Sequence, residues 1–470
     1  MARLWDSIAL VEILAMSVVS SRHLSRSSGR ETPLPGEQWI QTNRSRAVPS
    51  ELNDTPPEVK VVFLTHYIPL YQVRVLQEVT QRLSDFRVLL STPIEPNRDF
   101  RPDWAGLRVD VQRTITLRRN WRHAAAGFRD PLYVHVPYDT LSQLRRLRPD
   151  VVVSHELGAR SAAAAAYCRR TGTPLVLATF MSEHTERGRG RLRHWLRRRL
   201  VRAADAITYN GTSCRRVLEN LGADPKKLHP WSYAADDRCF SSHSELPPKV
   251  EAAVRGRLLC VGQLTQRKGV TRLVEQLRRY CQTHSVDIRL TLVGDGPQRG
   301  DLEQTAAELD STQDRLRLTV LGNQPADVLP QLMLDHSLVI APTLADEWLL
   351  VVNEAMHQGM PVIGSIYSQA VTTLIEDGEN GWRYDPLADP TSSKSGPSPA
   401  EAASLEESLR QYFAASDGQL AEMRRRARAT VSPLTPQRSA TELCAAVKAV
   451  VPSRAGAAGD SEATSGWIRR

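Results

Sequence analysis

The sequence predicts an α/β protein with two domains, each built around a parallel β-sheet. Short apolar runs alternate with segments of helical periodicity over residues 257–385, and a second series of the same kind lies within residues 59–240. Strand–helix units of this length form parallel sheets that helices cover on both faces. At 470 residues the chain is long enough to bury two full cores.

The C-terminal series predicts five strands. They are RLLCVG (257–262), RLTLVGDG (289–296), LRLTVLGN (316–323), SLVIAP (337–342) and PVIGS (361–365). Helical spacing is found in TRLVEQLRRY, DLEQTAAELD, ADVLPQLMLD and LLVVNEAMHQ. Because ligands bind at the carboxyl ends of parallel strands, we expect Gly262, the turn Gly294–Gly296 and Asp346 to lie close together.

The N-terminal half predicts a second domain of the same class. The segment VKVVFLTHYIPL (59–70) reads as a strand that runs into a loop, and YQVRVLQEVTQRLSD (71–85) has helical spacing. Three further strands are predicted in DVVVSHE (150–156), PLVLATF (174–180) and DAITYNG (205–211).

The remaining segments are predicted to connect or extend the two domains, 59–240 and 257–435. Residues 241–256 form the interdomain linker, and a helix over 436–451 returns to the first domain. Residues 1–58 and 452–470 are expected to be disordered, the second because it is too polar to pack.

Two carboxylates mark the segment 345–365, ADEWLLVVNEAMHQGMPVIGS. Asp346 lies in a loop before an amphipathic run, and Glu354 is expected about two turns inside that run. A loop acid and a helix acid at one strand-to-helix junction can hold a polyhydroxy ligand, since Glu354 accepts from neighbouring hydroxyls while the helix N-terminus faces an anion. The alternative is a capped surface helix with Glu354 in solvent.

An ordered series of motifs resembles one known family. GQLTQRKGV (262–270), LVGDGP (292–297), VLGN (320–323), the Asp346–Glu354 segment and EDGENGW (376–382) occur in the order seen in retaining, nucleotide-sugar-dependent glycosyltransferases of the GT-B fold. The GT4 family, also called glycosyl transferases group 1, is the group resembled. The resemblance implies two Rossmann-like, doubly wound parallel-sheet domains that face each other across a cleft. The first domain would bind the acceptor, and the second would bind the nucleotide sugar.

The resemblance also implies roles for individual residues. Glu354 would bind the ribose diol, Asp346 would contact the donor sugar as a catalytic residue, and Lys268 would neutralise the diphosphate together with the N–H groups of Leu349 and Leu350. Positive charge and helix-end donors aimed at a departing diphosphate lower the barrier to its release. The implied donor-binding residues are Gly262, Gln263, Arg267, Lys268, Asn323, Asp346, Glu347, Leu349, Leu350 and Glu354. No metal or other cofactor is expected, because the sequence shows no clustered metal-ligand signature.

Several positions depart from the pattern of the family. Gln263 stands where the family commonly has an arginine, and Arg267 either supplies the missing charge or is a solvated surface residue. Asp346 stands where a glutamate is usual, so that either Asp346 or its neighbour Glu347 reaches the sugar. The Gly-Gly that commonly follows the fifth strand is absent from SIYSQAVTTLIEDG.

His184 is the favoured catalytic residue of the first domain. It follows the strand PLVLATF, near the place where the family has a histidine facing the donor sugar, and an imidazole there can hydrogen-bond a sugar hydroxyl. The alternative is a loop histidine bonded to Glu183 or Glu186. The lesser candidates, at the ends of other strands, are His66, His155 and Glu156.

The segment Arg187–Arg202, RGRGRLRHWLRRRLVR, places eight arginines around an apolar stripe. Such a helix lies on an anionic membrane surface, guides an anionic acceptor such as a lipid phosphate, or packs on the domain with a solvated basic face. The net charge of +9 favours acidic partners. Nucleic-acid binding is not expected, because the aromatic residues are few and no recognition motif accompanies the charge.

Together these observations predict a cytoplasmic hexosyltransferase, either free or peripheral on the inner face of the membrane. No run is long enough to span a bilayer, and six cysteines without CxxC spacing suit a reducing cytosol. The enzyme would move a hexose from a nucleotide diphosphate sugar to a hydroxyl of a surface polysaccharide or lipid-linked glycan, with retention. The alternatives are a nucleotide-sugar epimerase or a phosphorylase of the same fold, and a catalytically degenerate subunit that binds nucleotide sugar or glycan.

Overall fold

Two parallel sheets organise the chain, as the sequence predicts. The computed structural model describes residues 59–96, 98, 103–123, 126–240, 254–388 and 402–451. The predictions for residues 1–58 and 452–470, and for all of the linker except 254–256, lie outside the described residues.

The first sheet has seven parallel strands. In spatial order they are β3 (Val109–Val111), β2 (Asp85–Leu90), β1 (Lys60–Thr65), β6 (Val151–His155), β7 (Leu175–Ala178), β8 (Ala206–Tyr209) and β9 (Leu228–Pro230). The strand order reverses between β1 and β6, whose register pairs Val61 with Val151. A reversal of this kind opens a crevice at the carboxyl ends of the two strands. His66 and Glu156 follow these two strands directly.

The second sheet has six parallel strands. In spatial order they are β12 (Leu316–Val320), β11 (Ile288–Val293), β10 (Arg257–Val261), β13 (Leu338–Ala341), β14 (Val362–Ser365) and β15 (Gly381–Tyr384). Its reversal lies between β10 and β13, which pair Leu258 with Leu338. The loops after these two strands contain Lys268 and Asp346.

The helices cover both faces of the sheets. In chain order they are α1 (Leu70–Arg82), α2 (Thr140–Leu147), α3 (Ala159–Thr171), α4 (Glu183–Glu186), α5 (Arg191–Ala203), α6 (Thr212–Asn220), α7 (Val270–His284), α8 (Arg299–Ser311), α9 (Leu329–Leu334), α10 (Val351–His357), α11 (Gln369–Leu374), α12 (Leu405–Ala414), α13 (Asp417–Val431) and α14 (Pro436–Lys448). Within the described part of the chain, no helix combines the length and apolar character needed to cross a membrane.

The last helix, α14, packs against the first domain. The Gln437 side chain donates to Glu78 of α1 and to Asp237, at 3.3 and 3.0 Å. The hydroxyl of Ser439 donates to the backbone oxygen of Ser232 at 2.7 Å. The chain therefore crosses back from the second domain to the first at its described end.

An antiparallel hairpin of β4 (Thr114–His123) and β5 (Phe128–Pro137) was not expected from the sequence. Strand β4 is rich in arginine and largely exposed, and β5 is mostly half-buried and interrupted by Pro131, so neither has the continuous buried apolar run that marks the central strands. Phe128 packs against Leu344 and Ala345 of the second domain. The hairpin thus reaches from the first domain to the loop that contains Asp346.

A close approach of two backbone turns requires glycine at position 294. Gly294 has a φ of +137°, and a Cβ at this position would lie 2.0 Å from the backbone oxygen of Gly262. The oxygen of Gly262 is a backbone atom and cannot turn aside as the end of a flexible side chain would. An alanine at position 294 would therefore force the ends of β10 and β11 apart.

We expect Gly294→Ala to lower the free energy of unfolding by about 2–4 kcal/mol, measured by urea denaturation. Gly300→Ala is the matched control, because Gly300 lies in α8 and a Cβ there meets nothing within 4 Å. This control should be neutral or stabilising by up to about 1 kcal/mol. Equal stability of both variants would contradict the close approach.

Candidate active site

The carboxylate of Asp346 holds the two cations of the preceding loop together. Asp346 follows β13, and Lys268 ends a short 3₁₀ turn after β10. The Lys268 ammonium donates to Asp346 Oδ2 at 2.5 Å, and Arg267 Nη1 donates to the same oxygen at 3.2 Å. Arg267 Nε also donates to Asp130 of the hairpin at 2.8 Å. Carboxylates from both domains therefore fix the position of Arg267.

The alternative of a solvated Arg267 is wrong. Only 17% of its side chain is exposed, and its guanidinium is paired with Asp130 and Asp346. Sequence analysis did not indicate this arrangement, because Asp130 lies in the unexpected hairpin.

Burial and mutual charge set the ionisation of this cluster. Burial opposes ionisation of Asp346, but Lys268 and Arg267 outweigh it, so that the pKa of the carboxyl is below its ordinary value. Burial lowers the pKa of Lys268, and Arg267 lowers it further, while Asp346 opposes the change. An additional anion beside Lys268 would therefore stabilise its charged form.

The first domain holds the backbone of the same segment. Ser182 donates through its hydroxyl to the backbone oxygen of Asp346 at 2.8 Å, and Asn210 Nδ2 donates to that of Glu347 at 3.2 Å. Gln369 Nε2 donates both to the oxygen of Glu347, at 2.9 Å, and to that of Met181, at 3.2 Å. The loop 346–347 is thus fixed between the two domains. Sequence reasoning missed the contacts of Ser182 and Asn210, and that of Gln369 with Met181. Each of these joins two residues that are more than 130 positions apart in the sequence.

Glu347 presents an uncommitted carboxylate to the cleft. Its side chain is exposed, and among the described residues no hydrogen bond or ion pair to the carboxylate is found. The surrounding protein and the charges of Asp346 and Glu156 raise the pKa of Glu347 to about 7. Asp346 is occupied by two cations, so Glu347 is the acid with free acceptor capacity.

Glu354 lies one turn nearer the start of its helix than the sequence suggested. The helix α10 begins at Val351, which places Glu354 in its first turn instead of about two turns inside. The apolar run extends further toward the N-terminus than the helix does, because Leu349 has a φ of +82°, which is not a helical value. The side chain of Glu354 is half-buried and has no hydrogen-bond partner among the described residues. Burial, with a smaller contribution from Asp236, raises its pKa to about 7.

The backbone before α10 leaves two donors without acceptors. Neither N–H group, of Leu349 or of Leu350, has a hydrogen-bond acceptor within the described residues. The preceding Trp348 fixes this loop, because its ring stacks on Tyr233 with centroids 5.5 Å apart and its Nε1 donates to Asn353 at 2.8 Å.

The remaining predicted donor residues lie at strand ends of the second sheet. Gly262 directly follows β10, with its N–H bonded to the oxygen of Val293 at 2.9 Å, and Gln263 is half-buried beside it. Asn323 follows the edge strand β12 and is exposed. Unlike the Lys268 loop, Asn323 makes no contact that the structure records with the Asp346 cluster.

His184 lies at the seam between the domains, on α4. Its ring packs edge-on against Tyr367 of the second domain, with centroids 5.1 Å apart. Burial, Arg187 and His123 lower its pKa to about 4, so the imidazole is neutral at pH 7. The alternative of a bond to Glu183 or Glu186 is wrong, because these acids pair with Arg216 and Arg197.

A second polar cluster lies at the crevice of the first sheet. The metal-binding atoms of His66, His155 and Glu156 lie within 4.8 Å of one another. Thr65 Oγ1 contacts the Nδ1 atom of His155 at 3.0 Å, and Arg160 lies 3.7 Å from the carboxylate of Glu156. Arg160 already supplies positive charge to Glu156, so the cluster does not need a cation. The sequence spreads these residues over 90 positions, which hid their proximity.

Two domains, each built on a parallel sheet, that contact each other through the Asp346 loop have the architecture of the GT-B fold. Residues 255–394 match the family described as Glycosyl transferases group 1, and residues 71–234 match the Glycosyl transferase 4-like domain. The chain belongs to the GT-B glycosyltransferase family.

Individual relatives agree with this membership. The chain is 27% identical over 269 residues to alpha-D-kanosaminyltransferase of Streptomyces kanamyceticus, which covers 53% of this chain and 68% of that one. It is 22% identical over 278 residues to sulfoquinovosyl transferase SQD2 of Arabidopsis thaliana, and this match covers 55% of this chain and 52% of that one. The structure of Anabaena HepE in complex with UDP has the same fold, with a TM-score of 0.59 at 16% identity, over 83% of this chain and 100% of that one.

Replacing Glu354 with glutamine should stabilise the free protein at pH 8. A carboxyl with a pKa near 7 when folded and about 4.3 when unfolded binds more protons in the folded state. Stability therefore falls as the pH rises through this interval. We expect Glu354→Gln to raise the free energy of unfolding by about 2–3 kcal/mol at pH 8 and by less than about 0.5 kcal/mol at pH 4.

Urea denaturation at the two pH values measures this difference. Glu275→Gln, at an exposed position of α7, is the control and should change stability at neither pH. A Glu354→Gln variant with the same stability as the wild type at pH 8 would show that the Glu354 carboxyl titrates normally.

Proposed function

We propose that this glycosyltransferase moves a hexose from a nucleotide diphosphate sugar to an acceptor hydroxyl, with retention of configuration. One observation supports the donor most directly. The half-buried carboxylate of Glu354 has no partner among the described residues, and the loop before its helix contains Asp346, which pairs with Lys268 of the loop after β10. A diol and a diphosphate carried by one ligand satisfy both groups.

The charges of the cleft suit departure of a nucleoside diphosphate. When the glycosyl–phosphate bond breaks, the diphosphate leaves with the bonding electrons and the acceptor oxygen forms the new bond. Lys268, Arg267 and the free N–H groups of Leu349 and Leu350 would face the growing negative charge, so no metal ion is needed. Donors of this kind, fixed in place before the reaction, each contribute a few kcal/mol, about 2.7–4, to transition-state stabilisation.

Glu347 is the acid we assign to the donor sugar. Asp346 Oδ2 is shared by two cations, and turning it to a sugar hydroxyl would leave Lys268 without a close counter-charge and Arg267 with Asp130 alone. Glu347 lies next to it and its carboxylate is open to the cleft. Glu156 of the first domain lies near enough for its charge to raise the pKa of Glu347, and His66 lies beside Glu156.

The donor assignment predicts ligand-dependent stability. In a thermal-shift panel of UDP, GDP, ADP and their sugars, one base should stabilise the protein, by about 2.7 kcal/mol at 100 times its dissociation constant. Glu354→Ala should abolish that gain, because the ribose loses its acceptor. Glu275→Ala, on an exposed face of α7, should keep it. An unchanged shift in Glu354→Ala would show that the ribose lies elsewhere.

The stereochemical assignment predicts the anomer of the product. Sugar released by slow hydrolysis of the stabilising donor should keep the anomeric configuration of that donor, as read by ¹H NMR before mutarotation. An inverted anomer would contradict retention. A changed nucleotide sugar without acceptor would indicate an epimerase, and release of sugar phosphate with orthophosphate would indicate a phosphorylase. Normal donor binding without turnover would favour the catalytically degenerate subunit, the alternative that Gln263 suggests.

A further inference from the structure

A basic cavity opens beside the cleft in the first domain. It has a volume of about 650 Å³ and lies between the loop 187–190, α5 and α6. Its lining includes five arginines and a histidine: Arg187, Arg189, Arg191, Arg193, Arg197 and His194. We call this cavity the arginine pocket.

The two acids of the arginine pocket neutralise only one of its arginines. Glu186 forms an ion pair with Arg197, and Glu183 pairs with Arg216 at 3.0 Å. Arg189 and Arg193, by contrast, form no ion pair with any described residue. The excess positive charge of the pocket is therefore left for a ligand.

Arg189 and Arg193 are also held out of full solvation. Arg189 stacks on Trp121 of the hairpin, with its guanidinium carbon 3.8 Å from the ring centroid, and its Nε donates to the oxygen of Thr185 at 2.7 Å. Burial lowers the pKa of Arg189 to about 9 and also lowers that of Arg193. Fixed and partly dehydrated guanidinium groups bind oxyanions more strongly than mobile surface ones.

The arginine pocket lies near the cleft. Trp121, on which Arg189 stacks, packs with Phe128 against Leu344 and Ala345, the two residues before Asp346. Glu347 of the second domain lies close enough to both Arg189 and Arg193 to oppose the fall of their pKa values. Glu156, at the crevice of the first sheet, acts on Arg193 in the same way. A ligand that reaches from the pocket to Glu347 would therefore pass the place where the donor sugar is expected.

We propose that the arginine pocket binds a phosphate group carried by the acceptor, so that the acceptor of the reaction is a phosphorylated glycan or lipid. This inference rests on the proposed function. Guanidinium groups from the loop 187–190 and from α5 converge on the pocket and offer more donors than the two oxygens of a carboxylate accept. A phosphate presents more acceptor oxygens and a larger charge.

The outer face of α5 offers a way to tell a lipid from a soluble acceptor. Leu192 and Trp195 are 39% and 37% exposed there, and Arg199 lies over the Trp195 ring at 4.6 Å. An exposed tryptophan among arginines is typical of helices that insert an apolar edge into an anionic membrane surface. A lipid-borne phosphate would use this face and the pocket together.

Binding of inorganic phosphate tests the pocket. Thermal unfolding is followed at constant ionic strength, with the nucleoside diphosphate of largest effect present at saturation, so that the donor site is filled. Phosphate should stabilise the wild type, and Arg193→Gln should need about tenfold more phosphate, the loss of about one charge-assisted hydrogen bond. Arg198→Gln is the matched control, since Arg198 is an exposed arginine of the same helix.

Vesicle sedimentation then identifies the source of the phosphate. Sedimentation with phosphatidylcholine vesicles that contain phosphatidic acid, lost in both Arg193→Gln and Trp195→Ala, would show a lipid headgroup. Phosphate binding without sedimentation would show a soluble phosphorylated acceptor, and either result supports the inference. Equal phosphate binding by wild type and Arg193→Gln, or an equal loss in Arg198→Gln, overturns it. Because the nucleotide shift is read in the same assay, its absence from the wild type would instead contradict the proposed function, and the acceptor assignment with it.

Discussion

The cleft depends on the ion pair between Lys268 and Asp346. This pair joins the loops that follow the two central strands of the second sheet, β10 and β13, and it recruits Arg267 and, through Arg267, the hairpin of the first domain. Breaking a buried pair by removing one partner costs about 3–5 kcal/mol, because the other charge stays buried. The same contact therefore sets the position of Lys268 and links the Asp346 loop to the hairpin of the first domain.

A shared carboxylate also makes the loop responsive to ligand. Lys268 has Asp346 as its counter-charge, and burial keeps its pKa low. A diphosphate that approaches Lys268 competes with Asp346 for the ammonium, and Arg267 remains to neutralise Asp346. In this exchange the Lys268 ammonium would move from Asp346 to the ligand. Asp346 would stay paired with Arg267, so no charged group would be left unpaired. The contacts from Ser182 and Asn210 to the backbone of Asp346 and Glu347 keep the loop in place meanwhile.

The sequence predicted the two sheets because their buried strands, such as β1 and β13, are short apolar runs with polar ends. It could not predict the hairpin, because neither β4 nor β5 is a short buried apolar run. Asp130, which lies in β5, was therefore missed as well. The start of α10 was misplaced because an apolar run does not show where a residue such as Leu349 leaves helical geometry. The donor-binding residues were predicted from the order of the motifs, and their role stays a prediction. The contacts of Arg189 and Arg193 depend on packing across domains, which periodicity does not encode.

Charges of opposite sign are kept apart across the cleft. Glu347 and Glu354 have no cationic partner among the described residues, and the pKa of each carboxyl is raised to about 7. Arg189 and Arg193 form no ion pair among the same residues, and their pKa values are lowered by burial, which the charge of Glu347 opposes. Chains that need only to fold gain by pairing such groups or by placing them in solvent. Their separation instead leaves acceptor atoms for hydroxyl groups on one side and donors for an anion on the other, so that a donor and a phosphorylated acceptor would be oriented by the same field.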